Sequence, residues 1–336
     1  MALLMASCRR LPEAGPGTTP TITPTPRSTA LPPVPTAIPV GATANPLHIV
    51  FVRPSSSASL GVSATESPDD SATEAPASTP EPAESVDSAV TDLQKALTTA
   101  TKLAIKVDLV NSDAEALAAL CASPQGTITA AWLNGLAYAA AYAQQCGSAL
   151  LQVERASHST GDQARIVVKS SAKFTAVGDL SGATFCRLGY TDLYSWIIPA
   201  LMLKSGGVAD SDLKSITDYS DPAKLLADVA GGKCDAAGIA GSQFDQIATS
   251  DERSGLRTLQ QSVTIPYAVL VMPDQVPLGQ QKQLSDALVK IAEGTQSAMI
   301  EPLLDQDKLD AISDSGLGQL RSFIASAGLD LAQAGT

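Results

Sequence analysis

The chain has 336 residues, enough for one large domain or two lobes, and a hydrophobic content of 44% that is ample for a core. Its formal charge of −12 excludes nucleic acid and argues against an anionic membrane surface as partners, because both need a basic face. No run of about 20 apolar residues occurs, so no helix is expected to span a bilayer.

In chain order, Met1-Ala-Leu-Leu-Met-Ala-Ser-Cys8 resembles the end of a bacterial lipoprotein signal, with small Ala6 and Ser7 before a lipidated Cys8. The charged leading region is missing, so residues 1–8 read as a signal remnant. An ordinary N-terminus carrying a chance cysteine is the alternative. Residues 9–45 are rich in proline and threonine and read as a disordered tether, too polar to bury a core. A lipidated cysteine on a tether places the globular part outside the cytoplasmic membrane, anchored to its outer face.

Leu47–Val52 is an apolar run apart from His48 and reads as a buried parallel strand. A low-complexity insertion, residues 55–88, is expected to be disordered. Helical spacing follows at Val90, Leu93 and Leu97. Lys102–Val110 reads as a strand, Asp113–Leu120 as a helix, Ile128–Leu133 as a third strand, Leu136–Gln145 as a helix and Ala149–Glu154 as a fourth strand. Asn134-Gly135 joins strand to helix, and ligands of open α/β sheets sit at such turns. A second copy of this layout runs from Cys234–Ala240 into Gly241-Ser242-Gln243-Phe244.

The chain then crosses over. Ala164–Lys169, Ala183–Leu188, Leu213–Asp218 and Asp235–Ala240 read as strands of a second lobe. Trp196–Lys204 reads as a helix, Val263–Met272 as the returning strand and Gln280–Glu293 as an amphipathic helix. The expected fold class is α/β and two-lobed, each lobe a mostly parallel sheet flanked by helices, with a two-strand hinge. Lobe 1 would take residues 46–160 plus 264–336, and lobe 2 residues 161–263. Two crossings permit rigid-body closure.

Apart from Cys8 there are four cysteines, which allow three pairings. Cys121–Cys146 and Cys186–Cys234 are expected, each within one lobe, since extracytoplasmic proteins keep disulfides. Four buried thiols are the alternative.

Candidate ligand-binding residues lie at strand ends. Arg53 and Arg187 follow the first strand of each lobe and suit a bidentate clamp on an anion; pairing with a rim carboxylate is the alternative. Ser55, Asn134, Tyr138, Tyr190, Thr191, Asp192, Tyr194, Ser195 and Ser242 lie at or near loops and strand-to-helix turns. Helix capping and packing compete with ligand contact there. Trp132 reads as core. No Gly-x-Ser-x-Gly, His-Glu-x-x-His or phosphate-loop motif occurs, so no catalytic residue, metal site or cofactor is expected.

From about Pro46 to the late 320s the chain resembles the phosphate/phosphite/phosphonate substrate-binding proteins of bacterial ABC importers. The residues that carry this are Pro46–Val52, Ala131-Trp-Leu-Asn-Gly-Leu-Ala-Tyr138, Ile166–Lys169, Asp179–Phe185 and Cys234–Ile239. The resemblance implies the type II periplasmic-binding-protein fold and capture of a small anionic, phosphate- or phosphonate-like solute between two lobes. It also implies delivery to an ABC permease; the protein is expected to act as a monomer, held at the membrane by the lipid on Cys8. A departure stands at Asp192-Leu-Tyr-Ser195, where the family usually reads Ser-Thr-Ser-Gly; Arg187 is expected to neutralise Asp192. A sensor or scavenging lipoprotein without a transport role, and an enzyme on a bilobal scaffold, are the competing readings.

Overall fold

The computed structural model describes residues 38–54, 82–155, 158–247 and 255–328. Cys8, Ser55, the signal remnant, residues 9–37 of the tether and residues 55–81 of the insertion lie outside the described residues.

The first sheet draws on both halves of the chain. In chain order its elements are β1 (Leu47–Val52), helix α1 (Pro82–Thr101), β2 (Ile105–Val110), α2 (Asp113–Cys121), β3 (Thr129–Leu133), α3 (Gly135–Ala143) and β4 (Ser148–Glu154). A short β5 (Gly161–Asp162) leads away to the second sheet. That sheet holds β6 (Ala164–Lys169), β7 (Thr184–Arg187), α4 (Ile198–Ser205), β8 (Ser215–Asp218), α5 (Pro222–Ala230), β9 (Ala236–Ala240), α6 (Gly241–Ile247) and β10 (Leu256–Gln261). The chain returns through β11 (Ile265–Pro266) to β12 (Val269–Met272), α7 (Leu278–Ala292), α8 (Glu301–Leu304), β13 (Lys308–Ala311) and α9 (Gly318–Ser326).

The strand order is β13-β4-β12-β3-β1-β2 in the first sheet and β10-β6-β9-β7-β8 in the second. Strands β1 to β4 run one way against β12 and β13; β7 to β10 run one way apart from the opposed β6, which gives two mostly parallel sheets. The antiparallel pair β5–β11, with Ile265 opposite Asp162, joins them at both crossings.

Strand alternation sorts the core. Leu47, Ile49 and Phe51 face one cluster with Leu93, Leu97, Leu284 and Leu288 from α1 and α7. Val50, Ala131 and Leu133 face the other side, where one buried cluster continues through Tyr138 and Ile265 to Ile166, Phe185 and Ile198. A third cluster, with Leu225, Leu226 and Phe244, covers the far face of the second sheet. Each fully buried Leu, Ile or Phe contributes about 1.5–3 kcal/mol. The disulfides Cys121–Cys146 and Cys186–Cys234 are both present, the first tying α2 to the turn after α3, the second tying β7 to the turn before β9.

Several boundaries differ from the sequence expectation. The segment 38–45 is a structured turn rather than tether: Gly41 (φ 80°) donates to Asn45 O and accepts from Ala104 N–H beside β1. Helix α1 starts at Pro82, inside the segment expected to be disordered, because proline fits the first helical position, where no N–H is needed. Val263–Met272 is two strands, broken after Pro266, which cannot donate to a ladder. Strands β10 and β13 escaped the sequence reading; both are sheet edges, with only Leu256 and Leu309 buried. The helix expected at Trp196 begins earlier, as a π-helical turn over Leu193–Ile197.

Candidate functional site

A cavity of about 320 Å³ opens at the carboxyl edge of the first sheet. Its walls come from the ends of β1 (Val52, Arg53, Pro54), β3 (Trp132, Leu133, Asn134) and β4 (Arg155), and from Asp113, the first residue of α2. Tyr267 and Ala268 after the crossing pair, and Pro302–Asp305 before β13, close it. The parallel strands make this position inevitable: all of them end there, and each must turn into a loop or helix.

The polar groups of this wall interlock. Asn134 caps α3, its Oδ1 accepting from Leu136 N–H and Ala137 N–H at 2.9 Å each. Its own N–H and Nδ2 donate to the two oxygens of Asp113, at 3.0 and 2.8 Å. Burial raises the Asp113 carboxyl above the usual range, and the hydrogen bonds from Asn134 oppose that rise. Arg155 lies 4.3 Å over the Tyr267 ring, donates to Leu304 O at 3.0 Å and pairs with Asp305 at 3.5 Å. Arg53 pairs with Asp87 at 3.4 Å, both side chains well exposed. Trp132 stacks on Phe51 with ring centroids 6.2 Å apart.

The facing end of the second sheet is assembled differently. Arg187 follows β7 and pairs with Asp218, its neighbour on β8, at 2.5 Å. Its guanidinium lies over the rings of Trp196 (4.5 Å) and Tyr190 (5.2 Å). The expected Arg187–Asp192 pair is thus replaced by Arg187–Asp218, because register sets those two side by side. Asp192 instead caps the π-helical turn, accepting from Ser195 N–H at 2.6 Å. Ser195 is fully buried and its Oγ accepts from Leu188 N–H at 2.9 Å. Tyr194 donates to Ile265 O at 3.4 Å, and burial raises its phenol pKa, with the nearby Asp162 adding to the rise. Ser242 Oγ donates to Asp162 at 2.5 Å and so pins the start of α6 to β5. Thr191 is exposed, as is Tyr190, at 70%.

Arg53 and Asn134 therefore line the cavity, while Arg187, Tyr190, Thr191, Asp192, Tyr194, Ser195 and Ser242 gather at the other sheet and the crossing. Tyr138 belongs to neither. It is completely buried, with its hydroxyl bonded to Asp314 and Arg321 at 2.9 Å each, because its place on the inner face of α3 turns it into the core. Arg155, Tyr267 and Trp132 were missed as site residues. Arg155 carried the same signal as Arg53, a cation directly after a parallel strand; Tyr267 and Trp132 carried none.

Two mostly parallel sheets joined by a two-strand crossing, with a cavity at the carboxyl edge, define a two-lobed binding-protein fold of type II. The family model for the periplasmic substrate-binding protein of the phosphonate ABC transporter matches residues 77–317, and the chain belongs to that family. XAC2383 from Xanthomonas citri, solved with chloride, has a TM-score of 0.56 at 12% identity, covering 84% of this chain and 97% of that one. Mh-p37 from Mycoplasma hyorhinis, described as a candidate thiamine pyrophosphate transporter, has a TM-score of 0.52 at 10% identity, covering 83% and 98%. The binding component of an ABC phosphonate transporter from Pseudomonas aeruginosa is 17% identical with a TM-score of 0.48, covering 88% and 89%. No curated protein matches the chain. The family is one of solute-binding proteins that work with an ABC permease. No helix among the described residues is long and apolar enough to cross a membrane.

Proposed function

We propose that this chain captures a small, polar, anionic solute of phosphate or phosphonate type and presents it to an ABC permease. The observation that carries the reading is the cavity at the carboxyl edge of β1, β3 and β4, where Arg53 and Arg155 stand beside the capped end of α3. Both carboxylates of its lining are already engaged, Asp113 by Asn134 and Asp305 by Arg155, and Arg53, held only by a 3.4 Å contact with Asp87 between exposed side chains, is the cation that can turn to a solute.

In this reading residues 46–160 with 264–336 form one lobe and residues 161–263 the other. They close about the β5–β11 pair, and Tyr190, the most exposed ring of the second sheet, covers the solute. A solute drives closure only by its preference for the closed state, so contacts to both lobes are what it must make. No chemistry is done on the solute. The protein acts as a monomer, and Cys8 carries the lipid that holds it at the outer face of the cytoplasmic membrane.

Calorimetry and thermal-shift measurements against phosphate, phosphite, methylphosphonate, sulfonates and amines test this. A solute at 100 times its Kd stabilises the folded state by about 2.7 kcal/mol and raises Tm. At least one oxyanion is expected to do so. A Tm raised by amines and by no oxyanion overturns the assignment of an anion.

A further inference from the structure

Two residues that line the first sheet's cavity each carry a buried donor that the fold does not use. Trp132 is 2% exposed, and its indole Nε1 meets no hydrogen-bond partner among the described residues. Arg155 Nε is also buried without a partner, although Nη1 and Nη2 of the same guanidinium are engaged. Both residues line the same cavity. An indole and a guanidinium can only donate, so what complements them is an acceptor. The acceptors of the lining do not meet this need. Asp113 is held by two hydrogen bonds from Asn134, and Asp305 pairs with Arg155 Nη1. Buried donors left unpaired are costly, and native folds avoid them unless something else completes the site.

We propose that Trp132 is a specificity-determining residue: its indole N–H donates to one oxygen of the bound solute, and Arg155 Nε to a second. This rests on the reading of an anionic solute in the cavity and names the group that selects it. The preferred solute is a compact oxyanion with at least two acceptor oxygens. Solutes without them leave both donors buried and unpaired, and sites of this kind reject such analogues strongly. The ring is positioned before the solute arrives, because Trp132 stacks on Phe51 within a fully buried strand. Such support is what fixes a donor's direction.

The chain contains two tryptophans, so the ¹⁵N-labelled full chain gives two indole N–H signals, from Trp132 and Trp196. Trp132→Phe and Trp196→Phe assign them. The probes are phosphate, phosphite, methylphosphonate and methanesulfonate, titrated by NMR and by calorimetry in parallel. An oxyanion that binds by calorimetry is expected to move the Trp132 indole proton downfield. Trp132→Phe, which keeps a ring but removes the N–H, is expected to weaken that oxyanion about 10- to 100-fold. Should Trp132→Phe fail to fold, the shift in the unsubstituted chain still decides. Calorimetric binding with an unmoved Trp132 signal, or unchanged affinity in a folded Trp132→Phe, overturns this inference and leaves the anion reading standing. Binding of none of the four probes overturns both.

Discussion

The two sheet ends are built from the same parts and differ in what those parts have left over. At the second sheet the fold uses Arg187 with Asp218, Asp192 with Ser195 N–H, Ser195 Oγ with Leu188 N–H and Ser242 with Asp162, while Tyr190 and Thr191 stay exposed and the buried Arg165 Nε meets no partner among the described residues. At the first sheet Asn134 and Asp113 satisfy each other in the same way, but the buried Trp132 Nε1 and Arg155 Nε are left over in two residues that line one cavity. A strand-to-helix turn therefore does not make a binding site by itself. Its own capping consumes the obvious donors and acceptors, and only the surplus is available to a solute.

The largest test of this comparison concerns the disulfides, one per sheet. Loop-closure entropy for separations of 48 and 25 residues predicts losses of about 4 kcal/mol for Cys186→Ala/Cys234→Ala and about 3.5 kcal/mol for Cys121→Ala/Cys146→Ala. Denaturant unfolding of the two double variants measures both. Near-equal losses fit sheets that unfold together; two separate transitions would divide the chain into independently stable lobes.

A smaller effect separates architecture from binding. Asp192→Ala removes the cap on Ser195 N–H and is expected to cost about 1 kcal/mol of stability while oxyanion affinity stays within twofold. A tenfold change in affinity would return the second sheet's loop to the binding surface.

The smallest effect is a titration. Burial raises Asp113, so its folded carboxyl holds a proton at a pH where the unfolded one has lost it. Stability accordingly rises as pH falls through that raised pKa, and the penalty is fully present above it. Asn134→Ala removes the side-chain hydrogen bond that opposes the rise, keeps the one from the backbone N–H, and is expected to raise the Asp113 pKa further, measured by ¹³C NMR of the carboxyl. A pKa that falls instead would mean that the cavity wall rearranges when the cap is lost.

Much of the fold was legible because burial writes a pattern. The largely apolar runs at Leu47–Val52 and Ile128–Leu133 read as buried strands, and β1 and β3 pair in parallel. The edge strands Leu256–Gln261 and Lys308–Ala311 were not legible, since a strand covered on few sides needs few apolar residues. Less of the site could be read. Arg53 and Asn134 were found by their position at strand ends, whereas Tyr138 shared that neighbourhood in sequence and turned inward on α3 to Asp314, 176 residues away.

The sequence by itself determined the alternating pattern of strands and helices, the turns at Asn134-Gly135 and Gly241-Ser242, and the family to which they belong, because local periodicity and turn chemistry act over a few residues. The tertiary structure alone decided which groups are spent. The neighbour that silences Arg187 is Asp218, set beside it by strand register, and the loop that meets Arg155 comes from Leu304 and Asp305, about 150 residues further along the chain. Hydrogen bonds and ion pairs are satisfied in space, so the surplus that recognises a solute exists only once the distant partners have met.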